Sequence, residues 1–250
     1  MMSLPIALQL YTVRDVLEKD LDAGLAQIAE MGYQFVELAG LYGHSAEDFK
    51  ALLDKHSLAA VSAHEGVEHF FSDTQPLIDR AKLFGYQYVV CPYLDEEQRK
   101  VGYEKIAAQV RATAQALQGH GLTVCYHNHD FEWHADAAQP GKRGVDLLFE
   151  GTSLNSELDV YWVKKAGDEP LDWMKKLSGR LPILHMKDMA DTPDQGFAEV
   201  GTGTIDFPAI IDAAESHGVK YLVVEQDSNW AVSPMESARV GLENLSGMLV

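Results

Sequence analysis

Four short runs in the second half of the chain each carry a side chain of the kind that binds a divalent ion. They are Tyr126-His127-Asn128-His129-Asp130, Glu157-Leu158-Asp159, Leu184-His185-Met186-Lys187-Asp188 and Val223-Val224-Glu225-Gln226. Taken together, His127, Asp159, His185 and Glu225 form a mixed nitrogen and oxygen set. Such a set suits Mn²⁺, Fe²⁺, Co²⁺ or Zn²⁺, and Mg²⁺ less well. With neutral imidazoles its two carboxylates balance a divalent charge. A single histidine of this kind is more often a hydrogen-bonded core residue, because ligation needs several groups converging on one point. Four such groups in successive strand-like runs shift the reading to a metal. The chemistry that follows is polarisation of a carbonyl and loss of a neighbouring proton. Glu225 is the candidate base. His129, two residues beyond His127, returns to the same strand face and is the candidate acid or second base. Lys187, two beyond His185, is placed to hold a developing oxyanion, although lysines are usually exposed.

What must position these groups is a repeated unit: an amphipathic helix, a glycine, then a short apolar run. It appears at Met31-Gly32-Tyr33, Phe84-Gly85-Tyr86, His120-Gly121-Leu122 and His217-Gly218-Val219. Glycine tolerates the left-handed conformation that closes a helix, so each marks a helix-to-strand junction. The runs that follow are almost continuously apolar, as parallel strands covered on both faces are. The pattern predicts strands near residues 5–11, 34–38, 58–63, 87–91, 122–127, 156–160, 182–187 and 220–225. It predicts helices near 15–31, 45–56, 73–84, 97–119, 141–150, 169–178, 206–217 and 233–249, with Asp206 capping the helix that opens Phe207-Pro208. Eight such pairs without a long linker describe a single α/β domain over residues 1–250, a (β/α)₈ barrel. An open doubly wound sheet would show a glycine-rich first turn, which is missing after Gln9-Leu10-Tyr11. Active sites of such barrels lie at the carboxyl ends of the strands. Those ends supply Gln9, Tyr11, Glu37, His64 and Cys91 beside the residues already named. Glu37 and His64 are expected to bind substrate hydroxyls or to hold the metal ligands.

A net charge of −18 opposes nucleic acid and anionic membranes, both of which call for a basic face. Cys91 and Cys125 lie in apolar runs and read as reduced core residues of a cytoplasmic protein. No run of about 18 apolar residues offers a spanning helix. The opening Met1-Met2-Ser3-Leu4-Pro5 passes into strand-like sequence with no basic and apolar leader pattern.

Over nearly its whole length, from Leu8-Gln9-Leu10-Tyr11-Thr12 to Val224-Glu225, the chain resembles the xylose isomerase-like superfamily. The likeness is specifically to its sugar phosphate isomerase/epimerase group, which includes ketose 3-epimerases and inosose dehydratases. Phe35-Val36-Glu37, Tyr126-His127-Asn128-His129, Leu158-Asp159, His185-Met186-Lys187-Asp188 and Gly201-Thr202-Gly203-Thr204-Ile205-Asp206-Phe207 carry it. The resemblance implies a TIM barrel that binds one divalent metal through His127, Asp159, His185 and Glu225. It also implies a small carbohydrate substrate and a homodimer or homotetramer. One position departs from the pattern. The ketose 3-epimerases of this group carry glutamate where this chain has His127, and that glutamate is one of their paired bases. Imidazole there removes a negative charge and a proton carrier. A single-base isomerisation, or an elimination beside a carbonyl, gains over two-base epimerisation unless His129 fills the role. The His-x-His pattern is similar to inosose dehydratases and, more loosely, to barrels acting on 3-keto sugars.

Trp133, Trp162 and Trp230 follow strands five, six and eight, where an indole can stack on a sugar; Trp162 is the preferred candidate. The Gly201–Phe207 run offers backbone amides to a phosphate, but no Arg or Lys stands beside it, so an unphosphorylated substrate is preferred. Two other classes compete. One is a non-catalytic sugar-binding or partner-subunit barrel. The other is a zinc-dependent apurinic endonuclease, which the acidic charge opposes.

Overall fold

The computed structural model describes residues 4–249; the expectation about the opening residues Met1 to Ser3 lies outside them. Eight parallel strands close into a barrel. They are β1 (Ile6–Gln9), β2 (Phe35–Ala39), β3 (Ala59–His64), β4 (Tyr88–Cys91), β5 (Thr123–His127), β6 (Asn155–Asp159), β7 (Ile183–Met186) and β10 (Tyr221–Val224). β10 pairs with both β7 and β1, which completes the circle. Between β7 and β10 a short antiparallel pair, β8 (Asp188–Met189) and β9 (Phe197–Ala198), stiffens a segment expected to be plain loop. The four junction glycines adopt left-handed φ values of 106° (Gly32), 84° (Gly85), 74° (Gly121) and 96° (Gly218). A β-carbon is strained in that region, so glycine ends each helix within a residue or two of the next strand.

Alternate strand residues point into the barrel. Near the amino ends of the strands they are apolar: Ala7, Val61, Tyr88, Val90, Cys125, Ile183 and Val223 form a cluster of their own. Two residues further along several of the same strands the inward positions become Gln9, His127, His185 and Glu225. A sealed apolar plug therefore supports a polar layer at the carboxyl ends.

Several boundaries differ from expectation for local reasons. The first helix is broken into Arg14–Leu17 and Leu21–Glu30, because Asp20 caps a new start by accepting from Ala23 N at 3.0 Å. The fourth is split into Glu96–Arg99 and Tyr103–Gln118 around Gly102, whose φ is 89°. β1 stops at Gln9 and turns into a 3₁₀ segment, Leu10–Val13. A helix at Val160–Lys165 was not expected, since Val160-Tyr161-Trp162-Val163 has strand-like composition. Asp159 decides against that composition: its Oδ1 accepts from Trp162 N at 3.0 Å and starts a helix where the pattern would extend β6. Asp206 caps its helix as expected, accepting from Ala209 N.

Candidate metal centre and active site

Strand register brings the four ligand-type residues together. His185 on β7 stands opposite Asp159 on β6, and on its other side opposite Val223, two residues before Glu225. His127 on β5 stands opposite Glu157, two before Asp159. Each of His127, Asp159, His185 and Glu225 offers one ligand atom, and these atoms all lie within 4.8 Å of one another. A second set meeting the same condition, His64, His127, Glu157 and His185, shares both imidazoles. Glu157 was not singled out from sequence, although it lies two residues from Asp159 on the same strand face.

The two sets use opposite nitrogens of the shared rings. His185 Nδ1 is 2.7 Å from Glu225 Oε2, whereas its Nε2 is 2.7 Å from Glu37 Oε1 and 2.9 Å from Glu157 Oε1. His127 Nε2 faces Asp159 Oδ2 at 3.9 Å, and its Nδ1 lies 3.2 Å from Glu157 Oε1 without hydrogen-bond alignment. To serve both sets at once, both rings would have to give up both N–H protons. At most one of the two sets could therefore use both rings as ligands. The set with Asp159 and Glu225 reaches the cavity through His127 and Glu225 and carries two carboxylates, so it fits a divalent ion. Asp159 Oδ2 is buried and without a hydrogen bond, while Oδ1 is fixed by the helix cap. A buried carboxylate oxygen without a hydrogen bond, approached by the Lys187 ammonium at 3.2 Å, suits a cation site.

The electrostatics are mixed: burial alone would lower His185, but Glu157, Glu37 and Glu225 outweigh it and hold the ring well above the usual imidazole range. Burial, reinforced by His185 and other nearby cations, holds His127 well below the usual imidazole range and so neutral. Burial and Lys187 do the same to His129. Burial pushes the Asp159 carboxyl up to about 6, even with Lys187 beside it. For His64 burial alone would lower the value, but Glu37 and Glu157 outweigh it and the ring is raised to about 10.

Lys187 is buried and points inward as expected. Its Nζ lies 3.0 Å from Glu225 Oε2, 3.2 Å from Asp159 Oδ2 and 3.0 Å from Asp227 Oδ2. Asp227 escaped the sequence reading, yet it follows Glu225 by two residues as Lys187 follows His185. A cavity of about 640 Å³ opens above the centre, lined by Tyr11, Tyr93, His127, His129, Lys187 and Glu225 among others. Among the described residues the His129 ring nitrogens make no hydrogen bond, and Nδ1 is buried. Trp162 stands beside His129, with ring centres 5.6 Å apart, and its buried Nε1 is unpartnered.

Other candidates sit elsewhere. Glu37 does not border the cavity: its Oε1 accepts from Gln9 Nε2 at 2.6 Å and meets the His185 and His64 rings. His64 touches the cavity edge, but its Nε2 is turned to Glu157 at 2.7 Å. Glu37 thus holds other side chains, while His64 both holds Glu157 and lines the cavity. Cys91 is fully buried and outside the site. Trp133 is core, with Nε1 bonded to Asp168 and its ring against Trp173. The amides of the Gly201–Phe207 run are already used. Asp188 accepts from Gly201 N, Gly203 N, Ile205 N and Met189 N at 2.8–3.2 Å, so an internal carboxylate fills the cradle. Asp188→Ala is expected to leave those donors unmatched and cost about 3 kcal/mol or more, roughly 6–12 °C in Tm by calorimetry.

Beneath His129, Glu132 accepts from its backbone N at 2.8 Å and from the Tyr126 hydroxyl at 2.8 Å. Burial pushes the Glu132 carboxyl up to about 8. The unfolded chain releases this proton near the ordinary carboxylate value and the folded chain near 8, so stability is full at low pH and falls as pH rises between them. Glu132→Gln keeps both contacts, with its amide donating to the Tyr126 oxygen. The Tm of the parent should therefore drop relative to the variant from pH 5 to pH 9. Parallel profiles would refute the assignment.

The chain belongs to the xylose isomerase-like TIM barrel family, whose profile matches residues 25–247. An inosose dehydratase of Geobacillus kaustophilus (strain HTA426) is 22% identical over 275 aligned residues, covering 91% of this chain and 87% of that one. A crystal structure of a sugar phosphate isomerase/epimerase from Parabacteroides distasonis ATCC 8503 superposes with a TM-score of 0.82. It is 20% identical and covers 100% of this chain and 96% of its own. The IOLI protein, crystallised with a zinc atom, gives a TM-score of 0.66 at 16% identity, with 98% of each chain covered. The expected fold and family hold. Among the described residues no helix is long and apolar enough to cross a membrane.

Proposed function

We propose that this protein is a metal-dependent isomerase, epimerase or lyase acting on a small sugar, keto-sugar or cyclitol. The observation that carries the reading is the convergence of His127, Asp159, His185 and Glu225 under a cavity of about 640 Å³. The zinc of the IOLI neighbour and the dehydratase relative support it. A divalent ion held by these four residues would supply Lewis-acid polarisation of a substrate carbonyl. The chain's own groups do the rest. Glu225 Oε2 is held by His185 and Lys187, which leaves Oε1 free of protein hydrogen bonds among the described residues to take the proton beside the carbonyl. His129, neutral and unbonded at the mouth, offers a ring lone pair that can take a proton and then hand it back. Lys187 places a positive charge where oxyanion charge grows. Trp162 packs beside His129, with ring centres 5.6 Å apart, outside the cavity lining. With the amides of the Gly201–Phe207 run taken by Asp188, the substrate is unphosphorylated.

The test is solvent exchange. Metal-loaded protein in deuterium oxide is incubated with a panel of keto-sugars and inososes, and the carbon-bound deuterium is read by NMR. Incorporation that disappears on chelation supports the enzyme. Bound metal and sugar with no exchange across the panel would make the barrel a binder.

A further inference from the structure

Asp227 lines the cavity two residues beyond Glu225, yet the proposed reaction gives it no task. It is fixed from two sides. Arg14 Nη2 donates to its backbone oxygen at 3.0 Å, and Lys187 Nζ donates to Oδ2 at 3.0 Å. Oδ1 makes no hydrogen bond among the described residues, and 24% of the side chain is exposed. Held at the main chain and at one oxygen, the carboxylate presents the other as a preset acceptor.

The cations around the cavity are already engaged. Among the described residues that line it, Lys187 is the one lysine or arginine, and Asp159, Glu225 and Asp227 surround it at 3.0–3.2 Å. Arg14, outside the lining, donates to the Tyr11 and Asp227 carbonyls and lies 4.0 Å over the Tyr11 ring. His64 turns its Nε2 to Glu157 at 2.7 Å. A divalent ion in the site would have its charge balanced by Asp159 and Glu225. The opposite wall carries no charge. Counted round the barrel, β4 is the fourth strand from β10 in either direction, so Pro92 and Tyr93, which follow β4, stand across the mouth from Asp227. Both line the cavity, and Tyr93 is 51% exposed.

We infer that Asp227 is a specificity-determining residue: it accepts a hydrogen bond from a hydroxyl of an uncharged polyol and turns away anionic sugars, carboxylates as well as phosphates. This rests on the proposed function, whose substrate class it narrows. A hydroxyl donating to Oδ1 gains a charge-assisted bond. A substrate carboxylate in the same place has no proton to give and meets like charge, with no unpaired lysine or arginine to offset it. The apolar face of a sugar ring can rest on the uncharged wall while its hydroxyl edge reaches Asp227.

The test is a change of preference in Asp227→Asn. Lys187 keeps the amide oxygen, so the variant turns an N–H donor to the cavity where the parent has an acceptor. Deuterium exchange is measured with neutral substrates, an inosose and a ketohexose, and with anionic ones, a ketohexose phosphate and a ketohexuronate. The parent should exchange the neutral members only. In the variant KM for these should rise about 10–100-fold with kcat nearly kept, the worth of a hydrogen bond to a charged group. The anionic members should gain roughly tenfold as the like charge goes. A role confined to holding Lys187 would lower kcat for all substrates alike and leave the preference unchanged. That result, or a parent that exchanges an anionic member as well as a neutral one, would overturn the inference and leave the proposed function intact. Asp227→Ala, which also removes acceptor and charge, decides if the asparagine variant fails to fold. No exchange with any member would overturn the proposed function, and calorimetry with the same panel then decides for Asp227. Neutral sugars bound by the parent and weakened in the variant support it; no sugar bound overturns both.

Discussion

Glu225→Gln is expected to lower deuterium incorporation into a competent keto-sugar by about 10²–10⁴-fold, the usual worth of a positioned acid–base group. The glutamine has nearly the same shape, so the barrel should survive the change. Lys187 retains Asp159 at 3.2 Å and Asp227 at 3.0 Å, and no buried cation is left bare. His185 keeps Glu37 and Glu157 on its other nitrogen. Two losses combine at Glu225, the free oxygen that takes the proton and a ligand charge. They are separated by measuring exchange at metal concentrations that restore full occupancy. Exchange that recovers with metal would make Glu225 a ligand only and pass the base to His129, the one other unbonded proton carrier identified at the mouth. In that event His129→Asn should abolish exchange, and Glu225→Gln should not. If neither variant alters exchange, the assignment of the site is wrong.

The barrel was legible because its signal is repeated. Apolar runs between junction glycines give strand number and order, and a closed parallel sheet then forces all strand ends to one mouth. His127, Asp159, His185 and Glu225 could be picked from sequence because each sits where a strand stops, and register does the convergence. What sequence could not give is the direction in which each nitrogen faces. Glu37 carries the right chemistry for substrate contact, yet its carboxylate is turned to His185 and Gln9, away from the cavity lining. Glu157 was overlooked for the complementary reason. Counting back two residues from Asp159 finds it, but a glutamate one step inside a strand has no evident partner until the neighbouring strands are in register. The Gly201–Phe207 run shows the same limit. Free amides and amides occupied by Asp188 have identical sequence, and only the fold of the β8–β9 segment tells them apart.

Asp159 offers the cleanest separation of structure from metal binding, because its two oxygens do different work. Oδ1 accepts from Trp162 N and starts the Val160–Lys165 helix; Oδ2 makes no hydrogen bond and is turned to the centre beside Lys187. Asparagine is as good a helix cap as aspartate, so Asp159→Asn should keep the helix and the direction of the side chain. What it loses is a ligand charge, and it sets an amide against Lys187, which is 3.2 Å from the present oxygen. Metal affinity should fall at least about 100-fold, beyond what an orienting group behind a ligand contributes. The readout is thermal. At a metal concentration 100 times the dissociation constant, binding stabilises the parent by about 2.7 kcal/mol. For a chain of this size that raises Tm by roughly 5–10 °C. The variant should melt within about 3 °C of the metal-free parent and show almost none of that rise. A full metal-induced shift in Asp159→Asn would mean that the ion, if bound, sits elsewhere. The deeper set around Glu157 would then be the place to look, since it is built from the other faces of the same two histidines.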